Sequence, residues 1–126
     1  MIDALFNQPA YLAAKKALDA TALRQEAIAN NIANLETPGY RRLDLAASFQ
    51  TELERACAAG DPGQIAALKP TLAPDPTALA SSHDGNTVHL ENELMQLNQN
   101  GTMHALETQL VSSLLARMRL AITGKS

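Results

Sequence analysis

The residues best suited to chemistry are three histidines and a single cysteine. His89 and Glu93 stand four positions apart, a spacing that places two side chains on one helix face, where they can share a metal ion. A solvated surface pair is the commoner use of this spacing, and His83 and His104 complete no metal-binding motif with them. Cys57 lies in an alanine-rich stretch without a nearby base and has no partner for an internal disulfide. We therefore expect no metal, no cofactor and no catalytic residue.

The remaining residue types also point away from catalysis and from anionic partners. The chain contains neither a GxSxG motif nor a glycine-rich phosphate loop. Its net charge is -3, and its basic doublets, Lys15-Lys16 and Arg41-Arg42, are typical of solvated helix faces. We expect a structural protein and not an enzyme, with no nucleic-acid partner and no small-molecule substrate. No segment has the pattern of a cleavable secretory signal or the length of a membrane span.

The first long element is predicted over residues 9–34, where Ala, Leu, Lys, Gln and Glu dominate and no glycine or proline interrupts the pattern after Pro9. Its apolar side chains recur at spacings of three and four, with one glutamine among them, and form one stripe: Leu18, Ala22, Gln25, Ile28, Ile32 and Leu35. An isolated helix of this length is marginally stable in water, so the stripe requires a packing partner.

The end of this helix is encoded locally. Asn34 tolerates the left-handed conformation of a C-cap, and the residue before Pro38 is disfavoured in a helix. The sequence Thr37-Pro38-Gly39-Tyr40 predicts a type II turn, because proline presets φ at the second position and glycine accepts positive φ at the third.

A shorter helix is predicted over residues 44–59, with Asp44 as its N-cap and Gly60 at its end. Residues 60–86 contain four of the six prolines, which excludes a long regular element and predicts an extended or partly disordered connector. The connector is expected to end in a turn at Asp84-Gly85-Asn86.

A second long helix is predicted over residues 87–123. One apolar row follows a near-heptad spacing: Leu90, Leu94, Leu97, Val111, Leu115, Met118 and Ile122. Leu106, Leu110 and Leu114 form a second row, so this helix is expected to contact more than one neighbour. Gly101 interrupts the helix interior and marks either a weak point or the close approach of another backbone, and we expect the close approach.

Residues 30–40, Asn-Asn-Ile-Ala-Asn-Leu-Glu-Thr-Pro-Gly-Tyr, resemble the signature near the N-terminus of bacterial flagellar axial proteins, the rod and hook family. The short chain, the continuation Arg41-Arg42-Leu43-Asp44 and the segment 84–88 are most similar to the small proximal rod subunits of that family. His89 and His104 depart from the family pattern, in which an acidic and an aromatic residue are common at these places. The signature residues that we single out are Asn30, Asn31, Ile32, Asn34, Thr37, Pro38, Gly39 and Tyr40.

The resemblance implies an all-α fold in which two long terminal helices pair as an antiparallel coiled coil, with one short helix and a Pro-rich extended connector. The corresponding divisions are 1–40, 41–60, 61–86 and 87–126, the first and last forming one coiled-coil domain. The stripe implied to mediate assembly comprises Leu18, Ile28, Leu35, Leu90, Leu94, Leu97, Val111, Leu115, Met118 and Ile122. Pro38 and Gly39 are expected to terminate the helix, whereas Asn30, Asn31 and Asn34 either do the same or bond across subunits.

As a function, the resemblance implies a structural subunit of the flagellar rod in the basal body, spanning the periplasmic space. Such a subunit is exported by the flagellar type III apparatus without signal cleavage and polymerises helically through its terminal helices. The implied partners are copies of itself, other rod subunits, and components of the export gate and membrane-ring junction. Alternatives are another rod subunit or rod-adjacent adaptor and, in a different class, a cytoplasmic coiled-coil binding module or export chaperone.

Overall fold

The computed structural model describes residues 2–80 and 83–124, excluding the side chains of residues 2 and 3. The described part is mostly helical and contains a small antiparallel sheet of two strands. Its elements in chain order are α1 (Ile2–Phe6), α2 (Pro9–Ala33), β1 (Leu43–Leu45), α3 (Ala47–Ala59), α4 (Pro62–Ala67), β2 (Leu72–Pro74) and α5 (Leu90–Thr123). Within this part, every helix is too short or too polar to cross a membrane. Residues 81 and 82 of the predicted connector and residues 1, 125 and 126 of the predicted terminal segments lie outside the described residues.

Helix α2 begins at Pro9, as predicted. An N–H at the first helical position would have no partner within the helix, so proline, which has no N–H, loses no hydrogen bond there. Asn34 is its C-cap, but the predicted left-handed conformation is wrong, since φ is -107°. The backbone N–H of Asn34 instead donates to Asn30 O at 3.1 Å, and its side-chain amide donates to the same carbonyl at 2.8 Å. The chain reverses at Gly39, where φ is +71° and Tyr40 N donates to Thr37 O at 3.2 Å. These features agree with the predicted type II turn.

Helix α3 starts later than predicted. Asp44 is not its N-cap, because this residue lies in β1, which pairs with β2 in the register Asp44 opposite Ala73. The N-cap position is Ala46, whose N–H donates to Thr71 O at 2.8 Å and so extends the strand pairing to the helix start. The helix ends at Gly60 in the left-handed conformation, with φ at +66°, which confirms the predicted stop.

The segment predicted as an extended connector is more regular than expected. Asp61 accepts a hydrogen bond from Gly63 N at 2.9 Å and thereby caps the six-residue helix α4, with Pro62 in its first turn. β2 follows, ending at Pro74, a residue type that sheets tolerate on edge strands. The prediction of a single short helix is therefore wrong, since α1, α3 and α4 are all short helices.

The apolar core lies on one face of α2, against α3 and α4. Its buried members are Ala20, Phe49, Leu53, Ala56 and Ile65. Helix α5 packs mainly on α2. Hydrogen bonds join the two helices at several levels. Glu93, near the start of α5, bonds to Asn31 near the end of α2, whereas the later Asn100 and Glu107 bond to Thr21, which is earlier in α2. The two long helices therefore run in opposite directions, and polar side chains join them.

Candidate functional site: a polar clasp between the long helices

Asn31 joins α2 to both the strand region and α5. Its side chain is fully buried. The amide Nδ2 donates to Leu43 O at 2.8 Å, and Leu43 N donates to Asn31 Oδ1 at 2.8 Å. Tyr40 Oη donates to the same Oδ1 at 3.2 Å, and Nδ2 also donates to Glu93 Oε2 at 3.2 Å. Both donors and both acceptor positions of the carboxamide are thus occupied within the chain, and none remains for another subunit.

Arg42 connects α5 to the two strands. Its Nε donates to Glu93 Oε1 at 2.7 Å, and its Nη1 donates to Asp75 Oδ2 at 2.5 Å. A longer bond joins Nη1 to Asp44 Oδ2 at 3.3 Å, and Asp44 also receives Arg24 Nε at 3.1 Å. The side chains of Arg42 and Glu93 are 11% and 1% exposed, so this ion pair lies in the interior. Removal of the Arg42 charge would leave the buried Glu93 carboxylate without a compensating charge.

The charges of this network influence each other's ionisation. Burial of the Arg42 guanidinium lowers its pKa, but hydrogen bonds to the Glu93 and Asp75 carboxylates outweigh burial, and the net pKa is raised. Burial acts to raise the pKa of Asp75, yet bonds from Thr77 and Arg42 lower it below the ordinary value. The pKa of the Tyr40 hydroxyl is raised, first by burial and then by the nearby Glu93 carboxylate. The site therefore holds Arg42 charged and favours ionised Asp75.

Asn86 fastens the turn before α5 to the end of α2. Its buried side-chain amide lies 2.8–3.0 Å from the carbonyl oxygens of Asn34, Leu35 and Thr37, to which it donates. Asn34 is the C-cap of α2, and Leu35 and Thr37 belong to the turn after it, so these bonds join the segment before α5 to that turn. Backbone bonds from Gly39 N to Asp84 O and from Thr87 N to Tyr40 O hold the two segments together on either side. We refer to Asn31, Tyr40, Arg42, Asp75, Asn86 and Glu93 as the clasp.

A second polar group lies further along the helix pair. Asn100 Nδ2 donates to Thr21 O at 2.9 Å and to Gln25 Oε1 at 3.0 Å, whereas its buried Oδ1 has no hydrogen-bond partner. Thr21 Oγ1 lies 2.7 Å from Glu107 Oε2 and 3.2 Å from His104 Nδ1. Burial raises the pKa of Glu107 despite its bond with Thr21. We refer to Thr21, Gln25, Asn100, His104 and Glu107 as the polar seam.

The signature residues occupy different environments. Asn31 is buried in the clasp, whereas Asn30 is exposed. Asn34 Oδ1 accepts a bond from Thr37 Oγ1 at 3.1 Å within the turn, next to Pro38 and Gly39. Asn34 thus uses its side chain locally. Of the three asparagines that could bond across subunits, Asn30 alone has an exposed side chain.

The predicted assembly stripe is not gathered into one internal seam. Ile28 and Met118 are buried, and Leu18, Leu35, Leu97 and Val111 are half-buried. Leu90, Leu94, Leu115 and Ile122 are exposed. The close backbone approach predicted at Gly101 does not occur within the described residues, because apart from the nearby backbone of α5 itself no atom lies within 4 Å of a Cβ built there. Polar residues occupy much of the contact between the long helices, and many apolar side chains of α5 face outward.

The histidines are dispersed. His89 lies just before α5, with Nε2 3.2 Å from Leu79 O, while Glu93 is engaged by Arg42. The pair that the four-residue spacing suggested is therefore not formed. His104 belongs to the polar seam, and Cys57 is exposed on α3. Across residues 2–80 and 83–124, no group of three or more His, Cys, Asp or Glu side chains is placed to hold a metal ion.

Sequence reasoning missed most of the clasp. In the sequence, Arg42 belongs to a doublet typical of a solvated face, Glu93 is expected to form a surface pair with His89, and Asp75 is not singled out. A usable signal was the alternation Arg42-Leu43-Asp44 directly after the turn, which is typical of a strand with charged side chains on one face. The partners lie 33 and 51 positions from Arg42, so no local pattern identifies them.

Comparison with known proteins supplies the context for this geometry. A family model described as flagella basal body rod protein matches residues 12–41, which cover most of α2 and the turn. The chain is 33% identical to the flagellar basal body rod protein FlgB of Escherichia coli K12, in a match covering 82% of this chain and 86% of that protein. FlgB of Borrelia hermsii is 30% identical, over 77% of this chain and 83% of its own. FlgB of Salmonella typhimurium is 29% identical, over 87% and 90% respectively.

Proposed function

Because this chain belongs to the FlgB family of flagellar basal body rod proteins, it is a structural subunit of the proximal rod, and we propose that its two long helices act there as one antiparallel coiled-coil unit. In this proposal, residues 1–40 and 87–126 form the axial domain, while residues 41–60 and 61–86 pack against it. The work of such a subunit is mechanical, and we propose that it has no enzymatic activity.

The observation that carries this proposal is the buried clasp. Glu93, near the start of α5, accepts hydrogen bonds both from Asn31, near the end of α2, and from Arg42, in an interior that is almost closed to solvent. Such fully satisfied polar networks rigidify a structure and specify one arrangement of its elements. A rod subunit requires this property, because small errors in the angle between its helices would accumulate along a polymer.

The exposed apolar side chains of α5 supply the proposed assembly surfaces. Leu94 is 47% and Leu106 is 64% exposed, and they belong to the two different apolar rows. Large exposed apolar patches mark sites of protein association, and each Å² of apolar surface removed from water contributes about 25 cal/mol. We propose that the row containing Leu90, Leu94, Leu115 and Ile122 contacts one neighbouring subunit and that the row containing Leu106 and Leu110 contacts another.

The remaining parts of the proposal rest on family membership. The neighbours are other copies of this chain and other rod subunits, together with components of the export gate and membrane-ring junction. The subunit is exported through the flagellar type III apparatus without signal cleavage, and the assembled rod spans the periplasmic space. The exposed Asn30 is a candidate for a hydrogen bond between subunits.

Leu94→Asp tests the proposed surface. Because Leu94 is half exposed in the subunit, the variant is expected to unfold at nearly the wild-type urea concentration yet to abolish swimming in a strain that lacks the native gene. Ile32→Asp, at a half-buried position of the other stripe, is also expected to block rod assembly. Gln99→Asp, an exposed change on the same helix, is the matched control and should swim normally.

Rod incorporation is measured by immunodetection of each variant in isolated basal bodies. Normal swimming and normal incorporation of both Leu94→Asp and Ile32→Asp would contradict the assembly surface. The position of the labelled wild-type subunit in the basal body separates the proximal rod from the rod-adjacent alternatives.

A further inference from the structure

We propose that a cleft around Gly101 is the seat for a second copy of this chain, whose exposed Leu106 and Leu110 pack into it. The cleft lies between α2 and α5 and has a volume of about 420 Å³. We refer to it as the glycine cleft, and its lining residues are Ala22, Gln25, Asn100, Gly101 and His104. This contact rests on the function proposed above and adds which surface of one rod subunit meets which surface of the next.

Neither packing nor backbone geometry within the subunit requires glycine at position 101. Its φ is not positive, and apart from the nearby backbone of α5 itself no atom lies within 4 Å of a Cβ built there. Glycine nevertheless weakens a helix interior relative to alanine. What it offers in return is a helix surface without a side chain, which a bulky group or another backbone can approach closely. In this subunit such an approach has to come from outside.

Asn100 gives a second and independent indication that the glycine cleft has an occupant. Its side chain is 4% exposed, and its Nδ2 donates to Thr21 O and to Gln25 Oε1. Its Oδ1, however, is buried without a hydrogen-bond partner among the described residues. A buried acceptor left in this state costs free energy, and few such groups occur in native structures. An occupant that carries an N–H or O–H donor would complete the bonding of Asn100.

The glycine cleft continues the assembly surface proposed for α5. Gly101 follows Leu94 by seven residues, which is two helical turns and returns to the same face within about 20°. Ala22 and Gln25, on the opposite wall, belong to the predicted stripe of α2 and are exposed. The stripes of the two long helices therefore meet at this cleft, and one neighbour seated in it contacts both helices.

A second copy can fill the cleft with the opposite flank of its own α5. Leu106 and Leu110 are 64% and 51% exposed. They follow Gly101 by five and nine residues, and at about 100° per residue these spacings place them about 140° and 180° around the helix from it. The half-buried Ser113, seven residues after Leu106, adds a hydroxyl donor to that flank.

Helical polymers are built from heterologous contacts, in which two different patches of one subunit meet on neighbouring copies. The glycine cleft on one flank of α5 and the projecting leucines on the other form such a pair of patches. Because they point in nearly opposite directions, both can be occupied at once, and the contact repeats from subunit to subunit.

Gly101→Gln tests whether the space at the glycine is used between subunits. Because glutamine is a better helix former than glycine, the free variant should unfold at a urea concentration no lower than that of the wild type. In a strain that lacks the native gene, its amount in isolated basal bodies should fall at least about tenfold, because the added side chain overpacks the contact. Thr102→Gln, an exposed change about 100° away on the same helix, is the control and should be incorporated normally.

Thiol cross-linking in isolated basal bodies identifies the occupant. In a Cys57→Ser background, Ala22→Cys marks the glycine cleft and Leu106→Cys marks the opposite flank of α5. Bismaleimidoethane should link the variant that carries both cysteines into dimers and longer multimers. Each variant with one cysteine should stay monomeric, because identical patches do not meet in a heterologous contact.

Normal incorporation of Gly101→Gln, or unfolding of its free form at clearly lower urea than the wild type, would overturn the proposed contact. Dimers of either single-cysteine variant, cross-links to a different rod subunit alone, or no multimers of the double-cysteine variant would also overturn it. Absence of the wild-type subunit from basal bodies would instead refute the rod function, so the two failures are distinguishable.

Discussion

Replacing Arg42 with methionine removes the cation of the clasp but keeps a long aliphatic side chain in its place. The Glu93 carboxylate, 1% exposed, then lacks its ion pair, and Asp75 loses a bond of 2.5 Å. Removal of one partner from a buried ion pair destabilises proteins by about 3–5 kcal/mol. Because Asp75 and Asp44 retain some access to water, we expect the lower end of that range, about 3 kcal/mol.

The assay is urea unfolding followed by circular dichroism at 222 nm, with free energies of unfolding extrapolated to water. Arg41→Met is the matched control, since Arg41 is the neighbouring arginine and is exposed, and it should change stability by less than about 0.5 kcal/mol. The double variant Arg42→Met with Glu93→Gln should be more stable than the sum of the single changes predicts, because glutamine carries no unpaired charge. Equal effects of Arg42→Met and Arg41→Met, or strict additivity in the double variant, would refute the buried pair.

Two further predictions concern the same region. Asn86→Ala should destabilise the subunit by about 2 kcal/mol, because the carbonyls of Asn34, Leu35 and Thr37 lose this buried side-chain donor, whereas the exposed Asn98→Ala should have little effect in the same urea assay. The lowered pKa of Asp75 contributes stability that is present above its ordinary value of 3.8 and is lost as the pH falls through the folded-state pKa. Urea midpoints measured between about pH 5 and pH 2 should therefore fall less steeply in Asp75→Asn than in the wild type, and identical slopes would exclude this contribution.

The parts of the fold that local chemistry dictates were predictable from the sequence. Pro9 and the Pro38-Gly39 pair bracket α2, and Gly60 ends α3 in the left-handed conformation that glycine accepts most readily. These signals act between residues a few positions apart, and no distant partner competes with them. The two apolar rows on α5 can be recognised in the sequence, and contact with more than one neighbour stays a prediction, because a helix with apolar residues on two sides cannot cover both against one neighbour.

The predictions failed where a distant partner decided the outcome. Asp44 has the chemistry of an N-cap, but its carboxylate is bonded to Arg24 and Arg42, and its backbone belongs to β1. Three-residue strands such as β2 are too short to show an alternating pattern in the sequence. Their pairing depends on the conformation of the connecting loops, which the sequence does not reveal. The contact between the long helices was expected to be apolar because their stripes are apolar, yet Asn31, Thr21 and Asn100 form its hydrogen-bonded centre.

Asn31 shows how little sequence is needed to join a helix to a strand. Its carboxamide stands opposite the peptide group of Leu43 and exchanges both hydrogen bonds with it, as a residue of a neighbouring strand would do. Aspartate has the same shape but no N–H, leucine has neither donor nor acceptor, and glutamine extends the amide by one methylene. Among side chains of this length, asparagine alone imitates a peptide unit. Through this one side chain, α2 pairs with β1 as a strand would, while the backbone hydrogen bonds of the helix stay intact.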